Sequence, residues 1–152
     1  PFLYELKSVP KPHSEFEMYA VIATPKEGIC KISALGKRYL DDPYGEKVRL
    51  AYISLKSQLD LIYGKSDFID YLNPGSSWNE KRYWVMSIIK NDRKYSTLWS
   101  NEKGSFMKEG ISSILLRVGA SSVDASYVAI NYEFSNYAKC QKEINEAQSG
   151  NL

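Results

Sequence analysis

Two hydrophobic periods alternate along this chain, and their order predicts its elements. Phe2, Tyr4 and Leu6 alternate with polar positions before Pro10 and Pro12 intervene. Residues 1–13 therefore read as an extended arm or an edge strand, because proline cannot donate to a sheet ladder. Phe16, Met18, Ala20 and Ile22 fall on one side of a strand, "TPKEG" turns the chain, and Cys30, Ile32 and Ala34 alternate on the return. The period then lengthens. Val48, Tyr52, Leu55, Leu59 and Ile62 share one helical face, and Arg49, Lys56 and Asp60 share the polar one. Asp42 is placed to cap this helix, Pro43 to open it and Gly64 to end it.

Further on, "KSDFIDYLNPGSS" reads as a short helical turn from Asp67 to Leu72, closed by Asn73, Pro74 and Gly75. Ser77 and Glu80 stand in capping-box spacing ahead of Trp78, Val85, Ile88 and Ile89, which predicts a second helix. From Arg93 the period returns to two. Tyr95, Thr97 and Trp99 alternate, and two strands flank "SSVD", with Val128, Ile130, Tyr132 and Phe134 on one face of the second. A last helix begins near Ser135 or Asn136 and stacks Tyr137, Cys140, Ile144 and Ala147, leaving residues 149–152 as a frayed tail.

Strands, helices, strands and a final helix predict an α+β fold. The expected architecture is one domain over residues 1–152, a mainly antiparallel sheet built from N- and C-terminal hairpins with helices packed on one face. No internal repeat or composition shift marks a second domain. A chain of 152 residues with 43% hydrophobic and 25% charged positions can bury a core of its own.

Charge and motifs narrow the chemistry. The formal charge is only +2 and its carriers are interleaved, so nothing singles out nucleic acid or an anionic membrane. No apolar run approaches the length of a membrane span. His13 is the one histidine, set among prolines in "PKPHSEFE", and is expected in solvent rather than beside a nucleophile. One histidine and two distant cysteines hold no structural zinc, the nine glycines form no phosphate-binding loop, and no cofactor or metal is implied. Asp67 and Asp70, at helical spacing near Tyr71 and Trp78, are the one carboxylate pair that offers a hydrolase.

The cysteines carry more. Cys30 and Cys140 both fall on inward faces at opposite ends of the chain, which favours a disulfide over a reactive thiol or two buried free residues. A loop of that length predicts about 4–5 kcal/mol of stabilisation in the chain-entropy treatment. Such a bridge belongs to an oxidising compartment. A chain that opens on Pro1 rather than Met reads as a processed or trimmed product, and a periplasmic or secreted bacterial protein fits both features.

Aromatic content supplies the functional expectation. Twelve Tyr and three Trp exceed what a core of this size needs, and such side chains are favoured at half-buried interfaces. The leading expectation is an exported, non-enzymatic binding protein, inhibitor- or immunity-like by analogy, that meets another protein or a cell-envelope polymer. Trp78, Tyr83, Trp84, Tyr95 and Trp99 are its candidate contacts, although Trp84 and Trp99 sit amid apolar neighbours that suit a core. The alternatives are a carboxylate-dependent hydrolase acting on a polymer, and a structural subunit of an oligomer.

Overall fold

The computed structural model describes residues 2–152. Its strands are β1 (Leu3–Leu6), β2 (Phe16–Thr24), β3 (Gly28–Gly36), β4 (Asp67–Leu72), β5 (Arg93–Ser100), β6 (Ile111–Ala120) and β7 (Ser126–Phe134). They form one antiparallel sheet in the order β1-β2-β3-β7-β6-β5-β4. After β3 the chain crosses the sheet through α1 (Glu46–Tyr63) to the far edge at β4. It then walks back strand by strand until β7 meets β3. On that return only β6 and β7 are joined by a tight turn, residues 121–125; residues 73–92, which carry a short helix, join β4 to β5, and residues 101–110 join β5 to β6. The fold is α+β, with three α-helices on a seven-stranded sheet.

α1 binds the sheet through one stripe. Val48, Tyr52, Leu55, Leu59 and Tyr63 are buried against Trp99, Ile114, Leu116, Val128 and Ile130. The sequence places Ile62 in that stripe; in the fold Ile62 is exposed and Tyr63 takes the inward position. A step of four after Leu59, rather than three, keeps the last position on the buried stripe. Tyr52 satisfies its buried hydroxyl on Thr97 Oγ1. Asp60, expected on the solvent face, reaches back to accept from Trp99 Nε1 at 3.1 Å while also pairing with Lys56 at 2.7 Å.

Asp42 does cap α1, but from ahead of a helix that begins later than expected, at Glu46. Its carboxylate accepts from the N–H groups of Glu46, Lys47 and Val48 at 3.1, 3.1 and 3.3 Å, satisfying donors that the first turn leaves unpaired. Pro43 consequently lies outside the helix, and Gly45 precedes its first residue with φ 67. A Cβ on Gly45 would stand 2.3 Å from the Trp84 ring, so both the backbone and the packing require glycine there.

Residues 67–72 form an edge strand, not a helical turn. Every residue from Asp67 to Leu72 pairs with β5, and Phe68 sets its ring 5.1 Å from Tyr95 and 6.3 Å from Tyr52. Ladder bonds and one aromatic anchor outweigh a helical spacing that spans barely a turn. The expected capping box is also absent. Ser77 makes no cap; a single 3₁₀ turn at Lys81–Tyr83 leads into α2 (Trp84–Ile89), six residues packed on β5 and β6.

α3 (Tyr137–Ser149) closes the other end. Val21 and Ile32 pair across β2 and β3, and Ile32 faces α1 beside Leu59. The adjacent Ile22 and Lys31 point to the opposite face, where Ile22 meets Ile144 and the Lys31 ammonium sits 5.6 Å above the Tyr137 ring. α1 and α2 therefore share one face, and α3 covers the β2–β3 corner from the other. Cys30 and Cys140 are joined there as a disulfide, both fully buried, with Cα atoms 6.4 Å apart. Strict alternation would send Cys30 toward α1 with Ile32. Instead the β2–β3 register shifts between Ile22 and Ala23, and the extra residue on β3 lets consecutive Cys30 and Lys31 both meet α3. Asn136 pins the start of α3 by donating to the carbonyls of Glu27 and Ile29 at 3.0 and 3.3 Å. None of the described helices is long and apolar enough to cross a membrane.

Candidate functional site

The sheet comes apart at one end. β5 and β6 pair only from Ser96↔Arg117 to Ser100↔Ser113. Beyond Ser96, β5 continues toward Arg93 as the partner of β4, while beyond Arg117 β6 continues to Ala120 as the partner of β7. The two arms thus separate without a ladder between them. A cavity of about 560 Å³ fills the split, with Ile88 and Ile89 of α2 among its walls. Asn91 turns the chain from α2 into β5 in the left-handed region, at φ 59, a conformation asparagine tolerates better than most residues.

Side chains give the cleft one sign of charge. Arg93, Lys94 and Arg117 line it, and no aspartate or glutamate does among the described residues. Arg93 is partly neutralised, its Nη1 donating to Asp70 at 2.7 Å and its Nε to Ser87 at 3.0 Å. Lys94 and Arg117 make no ion pair among the described residues. Arg117 lies 6.0 Å from the Tyr127 ring centroid, which holds its guanidinium over the cleft wall. Burial pushes the Tyr95 hydroxyl above its ordinary range, with Arg49 pulling the other way, so this wall contributes no anion. A lining of two unpaired cations and no acid suits carboxylate or phosphate groups.

Beside the cleft the sheet also has a free edge. β4 pairs on one side only, and Phe68, Ile69 and Tyr71 are 46%, 43% and 47% exposed. Ile69 belongs to both features, pairing with Ser96 and lining the cleft. An edge of this kind presents unpaired backbone groups to an added strand.

The five expected aromatic contacts divide. Trp84, Tyr95 and Trp99 are core, with Trp99 wholly buried and the rings of Trp84 and Tyr95 packed edge-to-face at 5.3 Å. Burial removes all three from the candidate contacts: the apolar neighbours of Trp84 and Trp99 already suited a core, and Tyr95 is corrected because its strand period serves the sheet–helix interface. Trp78 and Tyr83 stay half-buried, 5.4 Å apart edge-to-face, with Lys90 over one ring at 5.9 Å and Arg82 over the other at 4.6 Å. Lys90 directly precedes Asn91 of the cleft.

The carboxylate pair does not assemble. On a strand, positions 67 and 70 face opposite sides of the sheet, and each acid already has a cation: Lys103 at 3.1 Å from Asp67 and Arg93 at 2.7 Å from Asp70. His13 is only half exposed. It accepts from the Glu15 N–H on Nδ1 at 3.1 Å, which leaves Nε2–H to donate to Gln58 at 3.1 Å. Missing from the sequence reading were Arg117, Tyr127 and Ile69, whose meeting with Arg93 and Lys94 depends on where the β5–β6 ladder stops. Compared with known proteins, the chain matches no family model, no curated protein sequence and no solved structure.

Proposed function

We propose that this chain is a non-enzymatic, exported binding protein that docks an acidic macromolecular partner on the β5–β6 split and the adjoining β4 edge. The observation that carries the reading is the cleft itself: among the described residues it has two unpaired cations and no acidic lining residue, and it opens beside a strand with one free side. Its charges steer and orient an acidic segment, and the edge supplies backbone bonds that fix register. Trp78 and Tyr83, joined to the cleft's edge through Lys90, extend the contact area. The Cys30–Cys140 bridge supports a periplasmic or extracellular setting, where such a bond persists.

Affinity capture from the envelope fraction under non-reducing conditions tests the reading, comparing wild type with the double variant Lys94→Glu/Arg117→Glu. A partner is expected with wild type, lost on charge reversal and eluted by moderate salt. Equal capture by both proteins would remove the cleft from the interface. Nuclease treatment that abolishes capture would show a nucleic-acid partner instead. A self-associating chain, the subunit reading, would show a concentration-dependent mass in sedimentation that depends on β4.

A further inference from the structure

A second concave site lies between α1 and the β2–β3 hairpin, remote from the split. It has two chambers that share His13, Leu55 and Gln58 in their walls. The hydrogen bond from His13 Nε2 to Gln58 Oε1 crosses the boundary between them. One chamber, of about 460 Å³, is lined by Glu15, Tyr39, Lys47 and Ser54. The other, of about 230 Å³, is walled by Phe16, Ile32, Leu59, Ile62, Ile130 and Tyr132.

Glu15 is the unusual group. Its side chain is 9% exposed, and its carboxylate receives the Tyr39 hydroxyl at 2.8 and 2.9 Å from its two oxygens. It makes no ion pair among the described residues. A carboxylate so far out of water with one neutral donor leaves most of its acceptor capacity unused, and an added cation would compensate its lost solvation. The two lysines on the groove do not fill that role. Lys47 is exposed and donates to the Leu40 carbonyl at 3.2 Å, and Lys11 sits exposed at the rim of the apolar chamber. In that second chamber the Tyr132 hydroxyl makes no hydrogen bond to protein among the described residues and has Tyr19 and Tyr63 as its electrostatic neighbours, so the apolar wall also carries a polar group.

We infer that this groove binds an amphiphilic cation, a primary amine whose ammonium meets Glu15 and whose apolar body occupies the chamber beside Tyr132. Tyr39 orients the carboxylate, and the His13–Gln58 bond is the latch that the body displaces or passes beneath. An alcohol of the same length gains the apolar contacts and can donate one hydrogen bond to the carboxylate, but it brings no positive charge to offset it. A carboxylate of the same length meets Glu15 as a like charge.

Calorimetric titration with hexylamine, hexan-1-ol and hexanoate tests the assignment. Hexylamine is expected to bind about tenfold or more tightly than hexanol, the scale of the added attraction between an ammonium and a poorly solvated carboxylate, with hexanoate weakest. Glu15→Gln is expected to erase the preference for the amine while changing the affinity for hexanol far less. Ile62→Trp, at an exposed position on the apolar chamber, is expected to weaken hexylamine at least several-fold in a protein that keeps its fold. Equal binding of the three probes, no saturable binding at millimolar hexylamine, or full hexylamine affinity in Ile62→Trp would each overturn the proposal. Should Glu15→Gln not fold, the probe series on wild type and Ile62→Trp decides alone.

Discussion

The Tyr127 ring lies over Gly119, its cross-strand partner on β6, so closely that a Cβ there would stand 2.6 Å from the ring's Cζ. Both residues line the split, and Arg117 is held against the same ring. Glycine thus sets the shape of one cleft wall by leaving room for an aromatic, a pairing that also restores cover to an otherwise bare strand position.

Gly119→Ala should push that ring off its site. The contact is with the far end of the tyrosine, which can swing, so the stability cost is expected to be about 1 kcal/mol. Partner capture should fall more than stability, since the displaced ring no longer places Arg117. Urea midpoints measured beside capture yield separate these effects. Unchanged capture by a folded Gly119→Ala protein would mean that Tyr127 does not shape the interface.

Removing the bridge should be costly. Cys30→Ala/Cys140→Ala opens a loop that spans 110 positions and frees α3 from the β2–β3 corner. The chain-entropy treatment gives about 4–5 kcal/mol, and engineered deletions commonly reach about 2–5. Denaturant unfolding of the double variant, compared with oxidised wild type, reads this directly. A loss under about 1 kcal/mol would show that Asn136 and the packing of Ile144 hold α3 without the bond.

The aromatic residues should divide in the same way by mutation. Trp99→Ala removes a wholly buried indole and leaves Asp60 without one of its donors, for an expected loss of about 3–5 kcal/mol. Trp78→Ala and Tyr83→Ala should each cost under about 1 kcal/mol, because their rings pack mainly on one another at the surface. Their capture of a partner should weaken nonetheless. Thermal or urea unfolding of the three variants checks the ranking.

These contrasts show which levels of the structure were legible in the sequence. The period-two runs on β5 and β7, and the stripe from Val48 to Leu59, are repeated several times over. Such patterns record burial that packing alone enforces. On β2, by contrast, a register shift after Phe16 turns Phe16 and Tyr19 to the core and leaves Met18 exposed. Asp67–Leu72 was not legible, because six residues cannot distinguish one helical turn from an edge strand; what decides is the presence of β5 to pair with and Tyr95 to receive Phe68. The cysteine pair was legible as a pair, but the register shift that turns Cys30 toward α3 was not. The split is hidden most completely. Nothing local to Arg93–Tyr95 or Val118–Ala120 says that these arms choose different partners, since that is a property of the whole strand order.

Alkaline pH should expose the buried phenols. Burial raises the hydroxyls of Tyr52 and Tyr63, and pushes Tyr132 up to about 12 from an ordinary value of 10.0. In the unfolded chain these groups ionise near the ordinary value. Above that pH the unfolded state therefore binds fewer protons than the folded one, and stability must fall as pH rises. The contribution is complete below about pH 10 and is lost between there and the folded value. Each phenol still protonated when its unfolded counterpart is ionised adds a slope of about −1.4 kcal/mol per pH unit. Urea unfolding from pH 8 to 11.5 should accordingly show a plateau followed by a steep decline. Tyr132→Phe should make that decline shallower, and its hydroxyl can be deleted without stranding a protein partner. An identical decline in wild type and Tyr132→Phe would show that Tyr132 reaches water in the folded state, through the same chamber that the amine is proposed to fill.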